Sequence, residues 1–582
     1  MSGIGGFFAR EGAAVDADAM SRLVLALAGR AAGPEDLYGH GAVMLVHRGP
    51  AGGGASRQPY REPRGIAPVG IAPVGAALVG AALVGDGALD PAPLQLYRAY
   101  GIEFAHHLQG GTALALHDPE AGRLFLARDG FGIKPLYYAE TAGGLLFAST
   151  IAALKATGLV PATLAAPARD ELLQLQFTTG RATPFAGISR VLPGETLIVE
   201  RGRVVDRRLY RPLPAAAPLP VSIDAALGTL DELLGRAIAP HCRAEGPIGL
   251  FLSGGIDSTV LLALMAARGP APVQALSLDI SRAEGPGEIA LARAVAAEAG
   301  ATLTEVPFRE ADFWHLLPEV AAAVDDPMAD VALVPHWKLA RAAAEAGFRT
   351  ILAGEGGDEL FGGYGRYRSL LRPWWAGGRL PRARGVLDGL ALLREPLAGW
   401  RDGLDATERA QALGSRTRLQ QAQAADCQEW LPNGPLARFD RALAAQGLDG
   451  RLPLLDRRLA LFAFGLPDGL KIRDGMGKWL LRRWLDQRMP AAGALVRRRR
   501  GAPPIADWLR RRGVMLGPLV ARQEPIRALC PPEAVERLFA GIENKRQAFA
   551  AWSLLFYALW HRAHVARLPP ERDVFQTLSS HG

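Results

Sequence analysis

The spacing of apolar positions changes once along this chain, near residue 211. Before that point the apolar runs are short and partly aromatic. Leu124-Phe125-Leu126-Ala127-Arg128, Leu136-Tyr137-Tyr138 and Leu145-Leu146-Phe147-Ala148 are bounded by Gly, Pro and Asp. Such runs predict strands of a packed antiparallel structure with a few helices. Residues 66–85 read Ile-Ala-Pro-Val-Gly twice and then Ala-Ala-Leu-Val-Gly twice. A period of five fits neither helix nor strand, and predicts a duplicated loop or an edge strand. Residues 212–220, Pro-Leu-Pro-Ala-Ala-Ala-Pro-Leu-Pro, read as a linker.

From Val221 on, strand-like and helical stretches alternate. Ser222 is placed to cap a helix reaching Ile238. Strands are predicted at Ile248–Leu252, Val273–Asp279 and Thr350–Ala353, and helices at Glu288–Ala299 and Pro335–Glu345. This alternation predicts a parallel α/β sheet whose ligand sits at the carboxyl ends of the strands. Beyond Arg366 the pattern is mostly helical. The expected domains are 1–211 and 222–582, joined by the linker 212–221.

With 582 residues, 49% of them hydrophobic, the chain can bury several cores and is not disordered. A formal charge of +8 is small for this length, and only six of the cations are lysines. That bias resembles base composition more than a nucleic-acid surface. The run Arg497-Arg498-Arg499-Arg500 is either an anion contact or a solvated face. Three cysteines far apart, Cys242, Cys427 and Cys530, give neither metal spacing nor a disulfide framework. The uncharged run Gly65 to Gly85 is long enough to cross a bilayer, but its regular glycines and two prolines argue against a span. Without a signal-peptide pattern, a cytoplasmic enzyme is expected.

The candidate chemistry starts where the strand Ile248–Leu252 runs into Ser253-Gly254-Gly255-Ile256-Asp257-Ser258, ahead of a predicted helix from Thr259 to Ala267. Two glycines let the backbone approach a phosphate closely. The amides of the turn and of the helix N-terminus point at the anion. Ser253 and Ser258 add hydroxyl donors, and Asp257 can hold a magnesium ion between phosphates. No Gly-Lys-Ser/Thr follows, so this is not the Walker pattern. The string resembles the pyrophosphate-binding loop of enzymes that split ATP into AMP and pyrophosphate. A second strand, Ile351-Leu352-Ala353, runs into Gly354-Glu355-Gly356-Gly357-Asp358-Glu359-Leu360-Phe361-Gly362-Gly363-Tyr364. Asp358 suits magnesium beside Asp257, and Glu355 is placed to orient a substrate amine or accept its proton. Further on, Arg451-Leu452-Pro453-Leu454-Leu455-Asp456 and Gly477-Lys478-Trp479-Leu480-Leu481-Arg482 each lead into a helix. The amine of Lys478 can follow charge onto an oxyanion or a leaving phosphate.

These four segments, in this order, resemble the asparagine synthetase family, and the likeness extends over essentially the whole chain. Arg128-Asp129-Gly130-Phe131-Gly132-Ile133-Lys134-Pro135-Leu136-Tyr137-Tyr138 and His47-Arg48-Gly49-Pro50 are similar to the family's amidotransferase domain. The resemblance implies a mixed α/β and α+β multidomain protein. An N-terminal Ntn-type αββα amidotransferase-like domain precedes a parallel α/β ATP-pyrophosphatase domain, of the adenine nucleotide alpha hydrolase-like kind, with a helical C-terminus. It also implies ATP and Mg2+. In that family a carboxylate attacks the α-phosphate of ATP, and the acyl-AMP is captured by ammonia that the first domain makes from glutamine. Carried over, Ser253, Gly254, Gly255, Asp257, Ser258 and Gly354 surround the pyrophosphate. Leu252 and Leu278 lie against adenosine, Asp257 and Asp358 contact magnesium, Glu355 acts beside the adenylate and Lys478 stabilises charge.

The glutaminase half departs from the family. The family's nucleophile is an N-terminal cysteine, whereas this chain reads Met1-Ser2-Gly3. A hydroxyl is a far weaker nucleophile than a thiolate. Val84-Gly85-Asp86 is the best match to the family's Asn-Gly-Glu, and Ala51 replaces the acid expected after Arg-Gly-Pro; Arg48 survives. We expect an intact β-rich domain with a degenerate site at Ser2, Arg48 and Asp86 and no glutaminase activity, against the alternative of Ser2 as an N-terminal hydroxyl nucleophile. This combination is similar to lasso-peptide cyclases, which implies a peptide carboxylate closed by the peptide's own amine into a macrolactam. Asparagine synthesis with ammonia or glutamine is the second reading. The β-lactam-forming relatives, with tyrosine at the position of Glu355, rank third. The alternative from another class is an RNA-modifying ATP pyrophosphatase. The expected partners are a small-molecule or peptide carboxylate, a precursor peptide and its protease, with a homodimer as candidate assembly, and neither nucleic acid nor membrane.

Overall fold

In the strand Ala113–Asp118 all six residues are buried, because both faces of the strand are covered. Side chains alternate at period two. Ala113 and Ala115 join Ile4, Phe8, Leu45 and Phe147 in a core between two sheets, while Leu114 and Leu116 pack outward against Leu94, Leu96 and Phe104. Leu124 and Leu126 likewise point inward, and Phe125 and Ala127 outward. This double coverage is why the sequence shows unbroken apolar runs. In the computed structural model the first sheet has the order Ser189–Arg190, Tyr137–Glu140, Gly144–Ala148, Gly3–Ala9, Val43–Arg48, Glu35–His40. The second has the order Arg203–Leu209, Glu195–Glu200, Arg123–Arg128, Ala113–Asp118, Ala77–Ala81, Tyr60–Arg61. Met20, Leu23 and Leu27 of the helix Ala17–Leu27 cover the outer face of the first sheet, and the helix Pro93–Tyr100 covers that of the second. The result is an αββα sandwich.

The structure describes residues 3–580 except 15, 32, 34, 50–59, 62–76, 82–92, 243–245, 270–271, 281–287, 377, 379, 413 and 497–503. Ser2, Asp86, the run Arg497 to Arg500 and most of the repeat at 66–85 lie outside the described residues. The part of the repeat that is described, Ala77–Ala81, pairs with Ala113–Asp118 on one side and Tyr60–Arg61 on the other. It is therefore neither a loop nor an edge strand.

Residues 210–222 carry neither helix nor strand. The Ser222 hydroxyl then accepts from Ala225 N at 3.3 Å and opens the helix Ile223–Cys242. The helix passes Pro240 and ends beyond the predicted Ile238, because a proline in the last turn breaks only the final intrahelical bonding. The third sheet is parallel, in the order Thr302–Phe308, Gln274–Ile280, Ile248–Phe251, Thr350–Leu352, Asp449–Arg451. Its first strand in sequence, Ile248–Phe251, is central. The chain moves to one side of it, then returns to lay down Thr350–Leu352 on the other. The strand order reverses at Ile248–Phe251, and the carboxyl ends there define the candidate ligand crevice. Two of the five strands, Thr302–Phe308 and Asp449–Arg451, are not apparent in the sequence pattern. The helical C-terminal part centres on Lys545–His564, in which Ala550 to Trp560 are buried without a break. Among the described residues no helix is long and apolar enough to cross a membrane.

The sandwich and the parallel-sheet domain meet through buried charge. Arg30 holds Asp440 with two hydrogen bonds, of 2.6 and 3.0 Å. Lys134 lies 3.4 Å from Asp449, Tyr137 and Arg190 both donate to Asp326, and Ala152 N donates to Asp325 at 2.7 Å.

Candidate active site

The crevice is bounded by the two turns that follow the central strands Ile248–Phe251 and Thr350–Leu352. In the first turn Ser253 N donates to Ser258 Oγ at 3.2 Å, the two hydroxyls lie 3.1 Å apart, and Gly255 N donates to Ser253 Oγ at 3.2 Å. Ser258 Oγ donates onward to Gly255 O at 3.2 Å. This ladder holds the turn at the start of the helix Ile256–Arg268, with Asp257 in its first turn. Gly254 has φ +71 and packs against the helix Glu288–Glu298, where a Cβ would lie 3.1 Å from Ala292 N. Leu252 is buried just past its strand, and Leu278 is half-buried near the end of Gln274–Ile280. Both flank the crevice on the side opposite the second turn.

The second turn fits against the first with no room for side chains. A Cβ at Gly354 would lie 2.6 Å from Asp257 Cβ, and one at Gly357 would lie 2.5 Å from Asp257 Oδ1. Gly356, at φ +91, lies over Leu455, so the Pro453–Leu455 turn supports the loop from below. Asp456 caps the following helix by accepting from Arg458 N and Leu459 N. Lys478 completes the site. Its backbone is left-handed (φ +58), its N–H donates to Phe361 O at 3.0 Å, and its side chain is only 2% exposed. Its Nζ pairs with Asp358 Oδ1 at 2.8 Å and with Asp257 Oδ2. One cation thus lies between two carboxylates contributed by facing loops.

Glu355 turns to a neighbouring cluster. Its Oε1 accepts from Arg438 Nη2 at 2.8 Å, and Arg438 also binds Asp330. Burial opposes the charge on Arg438, yet Asp330 and Glu355 raise its pKa above the ordinary arginine value. His336 Nε2 lies 3.8 Å from Glu355 Oε1. Behind Asp358, burial and then the Asp358 charge raise Glu359 from 4.5 to about 8, while Tyr364 donates to it at 2.7 Å.

The structure therefore brings Ser253, Gly254, Gly255, Asp257, Ser258, Gly354, Asp358 and Lys478 together, with Glu355 on the same loop but in a separate ion-pair cluster. The other members of that cluster, Asp330, His336 and Arg438, have no counterpart in the sequence pattern, since a buried arginine in the helix Pro435–Ala444 follows no motif. Arg48 is engaged within the sandwich, where its Nη1 donates to Val24 O at 3.3 Å and Glu35 at 3.4 Å.

Central parallel strands ending in glycine-rich turns, behind an amidotransferase-like αββα sandwich, define a ligase domain of the ATP-pyrophosphatase type. The asparagine synthase family profile matches residues 229–562, and a glutamine amidotransferase domain profile matches residues 92–210. The chain is 31% identical over 522 residues to a putative glutamine-hydrolysing asparagine synthetase of Mycobacterium tuberculosis H37Rv, covering 81% of this chain and 79% of that protein. It is 25% identical over 521 residues to the glutamine-hydrolysing asparagine synthetase 1 of Bacillus subtilis, covering 81% and 80%. Amidase chyE of Penicillium rubens is 30% identical over 295 residues, covering 47% and 43%. The chain belongs to the asparagine synthetase family, and is accordingly an ATP-dependent carbon–nitrogen ligase.

Proposed function

We propose that this ligase activates a carboxylate as an acyl-AMP, releases pyrophosphate and hands the acyl group to an amine without hydrolysing glutamine itself. The observation that carries this reading is the convergence of Lys478 with Asp257 and Asp358 at the carboxyl ends of the central strands. The Ser253 to Ser258 turn receives the pyrophosphate of ATP, and Leu252 and Leu278 contact the adenosine. The two carboxylates fit a magnesium ion, which is usually held by one or two carboxylates together with substrate phosphates. That ion supplies charge neutralisation at the leaving pyrophosphate. Lys478, held ready by both carboxylates, follows the negative charge as the bond to the α-phosphorus breaks. Glu355 takes the proton from the attacking amine.

Two acceptors fit this chemistry. In sequence, Ser2, Asp86 and Ala51 take the positions of the family's glutaminase machinery, and Arg48 is engaged within its own domain, which favours an amine other than glutamine-derived ammonia. We therefore favour macrolactam closure of a lasso-type precursor peptide supplied by a partner protease. Asparagine formation from aspartate is supported by the activities for which the relatives are named. Pyrophosphate release is compared for aspartate plus ammonium and for an acidic precursor-type peptide, with glutamate release from glutamine followed in parallel. The expected result is peptide-dependent release and background glutaminase activity. Asp257→Ala and Asp358→Ala are expected to lower release on the order of 100-fold or more, while Ser2→Ala leaves it unchanged. Formation of ADP in place of AMP overturns the acyl-AMP step, and rapid glutamine hydrolysis overturns the second half of the proposal.

A further inference from the structure

The cluster around Glu355 contains one group that the reading above leaves without a task. His336 lies in the first turn of the helix Leu333–Glu345, and its Nδ1 is 2.8 Å from Ala332 O. A carbonyl oxygen only accepts, so Nδ1 carries the ring proton and Nε2 presents a lone pair. Nε2 faces Glu355 Oε1 at 3.8 Å. That is too long for a hydrogen bond between them, and short enough for one nitrogen atom to bridge both. Asp330, Arg438, Glu355 and a neutral His336 together carry one net negative charge, which favours an incoming ammonium or amine over an anion. Burial first, and then the charge of Arg438, lower His336 from 6.5 to about 3, so the ring stays neutral and keeps its lone pair at neutral pH.

We propose that His336 Nε2 and the Glu355 carboxylate form a two-acceptor receiving site for a primary amine. This rests on the acyl-AMP reading. A primary amine has two N–H bonds. When each is engaged by one acceptor, the nitrogen lone pair is the only direction left, and it points away from both, toward the acyl carbon. The C–N bond forms as the acyl C–O bond to AMP breaks, AMP leaves with the electron pair, and the surplus proton of the nitrogen passes to Glu355. His336 stays neutral throughout and acts by orientation. A secondary amine has one N–H and fills only half of the site.

The test uses His336→Phe, which removes the acceptor, and His336→Gln, which keeps an acceptor oxygen. Carboxylate-dependent ATP–pyrophosphate exchange reports acyl-AMP formation without an amine, and is expected to stay within about twofold of wild type in both variants. Amide formation is then followed with methylamine and dimethylamine. Loss of one neutral hydrogen bond raises the methylamine KM of His336→Phe about three- to tenfold, with His336→Gln closer to wild type and dimethylamine poorly used by all three proteins. Unchanged methylamine KM in His336→Phe overturns the proposal. Absence of exchange in the wild-type enzyme overturns the acyl-AMP reading instead. In that event the 15N-imidazole spectrum decides the amine site alone. Titration with methylammonium is expected to move the His336 Nε2 resonance and not Nδ1, and an Nε2 resonance that stays fixed overturns the proposal.

Discussion

At the scale of single residues, the site is built from charges that no water could replace at equal cost. Lys478 sits in a left-handed backbone conformation that a lysine rarely adopts, and it is fixed there by its bond to Phe361 O and its two carboxylates. Glu359 is the counterpart that gives up its charge. Burial, and next the Asp358 charge, raise its pKa from 4.5 to about 8. The native state thus holds a proton on Glu359 that the unfolded chain releases near 4.5. The associated stability is complete below the unfolded value and is lost as the pH rises through about 8. Glu359→Gln keeps an oxygen for the Tyr364 hydroxyl and has no proton to lose. Its melting temperature is expected to gain on wild type steadily from the acid side of this window to the alkaline side. Parallel pH dependence of the two proteins, measured by thermal unfolding, contradicts the assignment.

At the scale of elements, close approach of three loops replaces side-chain packing, and glycine makes it possible. Gly363 is the contact point: a Cβ there would overlap the Asp358 carboxylate and the Lys478 stem. Gly363→Ala is expected to cut pyrophosphate release on the order of 100-fold by displacing that pair, while overpacking costs about 1–3 kcal/mol of stability. Steady-state turnover beside thermal unfolding separates the two, and full turnover in a folded variant refutes the close-approach argument. The loops themselves were legible in the sequence because strings of glycine and acid after an apolar strand serve few other purposes. Other elements were not. Asp449-Gly450-Arg451 has no apolar side chain, and becomes a strand only because the edge of Thr350–Leu352 offers it unpaired hydrogen-bonding groups. Thr302–Phe308 exposes several of its side chains at the far edge of the sheet, so it lacks the buried run that marks its neighbours. Arg438 reaches Glu355 from a helix 83 residues further along the chain, and His336 from the helix just before the strand Thr350–Leu352; neither carries a motif, and only the folded arrangement makes them neighbours.

At the scale of the whole molecule, the question is what the amidotransferase-like sandwich contributes to the ligase domain. The interface answers in part: the sandwich supplies Arg30, Lys134, Tyr137 and Arg190 to carboxylates of the ligase domain. Asp325 and Asp326 directly precede the segment that brings Asp330 and His336 to the site, so the same stretch of chain is gripped at one end by the sandwich and at the other by Arg438. Asp440 and Arg441 lie on the helix that carries Arg438 itself. The sandwich thereby holds in place the segment that carries Asp330 and His336 and the helix that carries Arg438. The pair Arg30–Asp440 offers the sharpest test, since the two side chains are only 2% and 4% exposed. Burial raises the Asp440 pKa, but Arg30 and Lys134 more than offset it and hold the carboxylate below its ordinary value. Removing Arg30 leaves the buried Asp440 with Lys134, at 3.8 Å, as its remaining ion-pair partner. Arg30→Ala is expected to cost about 3–5 kcal/mol in denaturant unfolding, whereas Arg30→Met combined with Asp440→Leu restores most of it, because a packed apolar pair carries no desolvation penalty. If the double variant is as unstable as the single one, the interface works by charge specifically. If Arg30→Ala costs under about 1 kcal/mol, as exposed pairs do, the sandwich is not anchored here, and its hold on the active-site segment falls to the Arg190–Asp326 pair and the Ala152 N–Asp325 hydrogen bond.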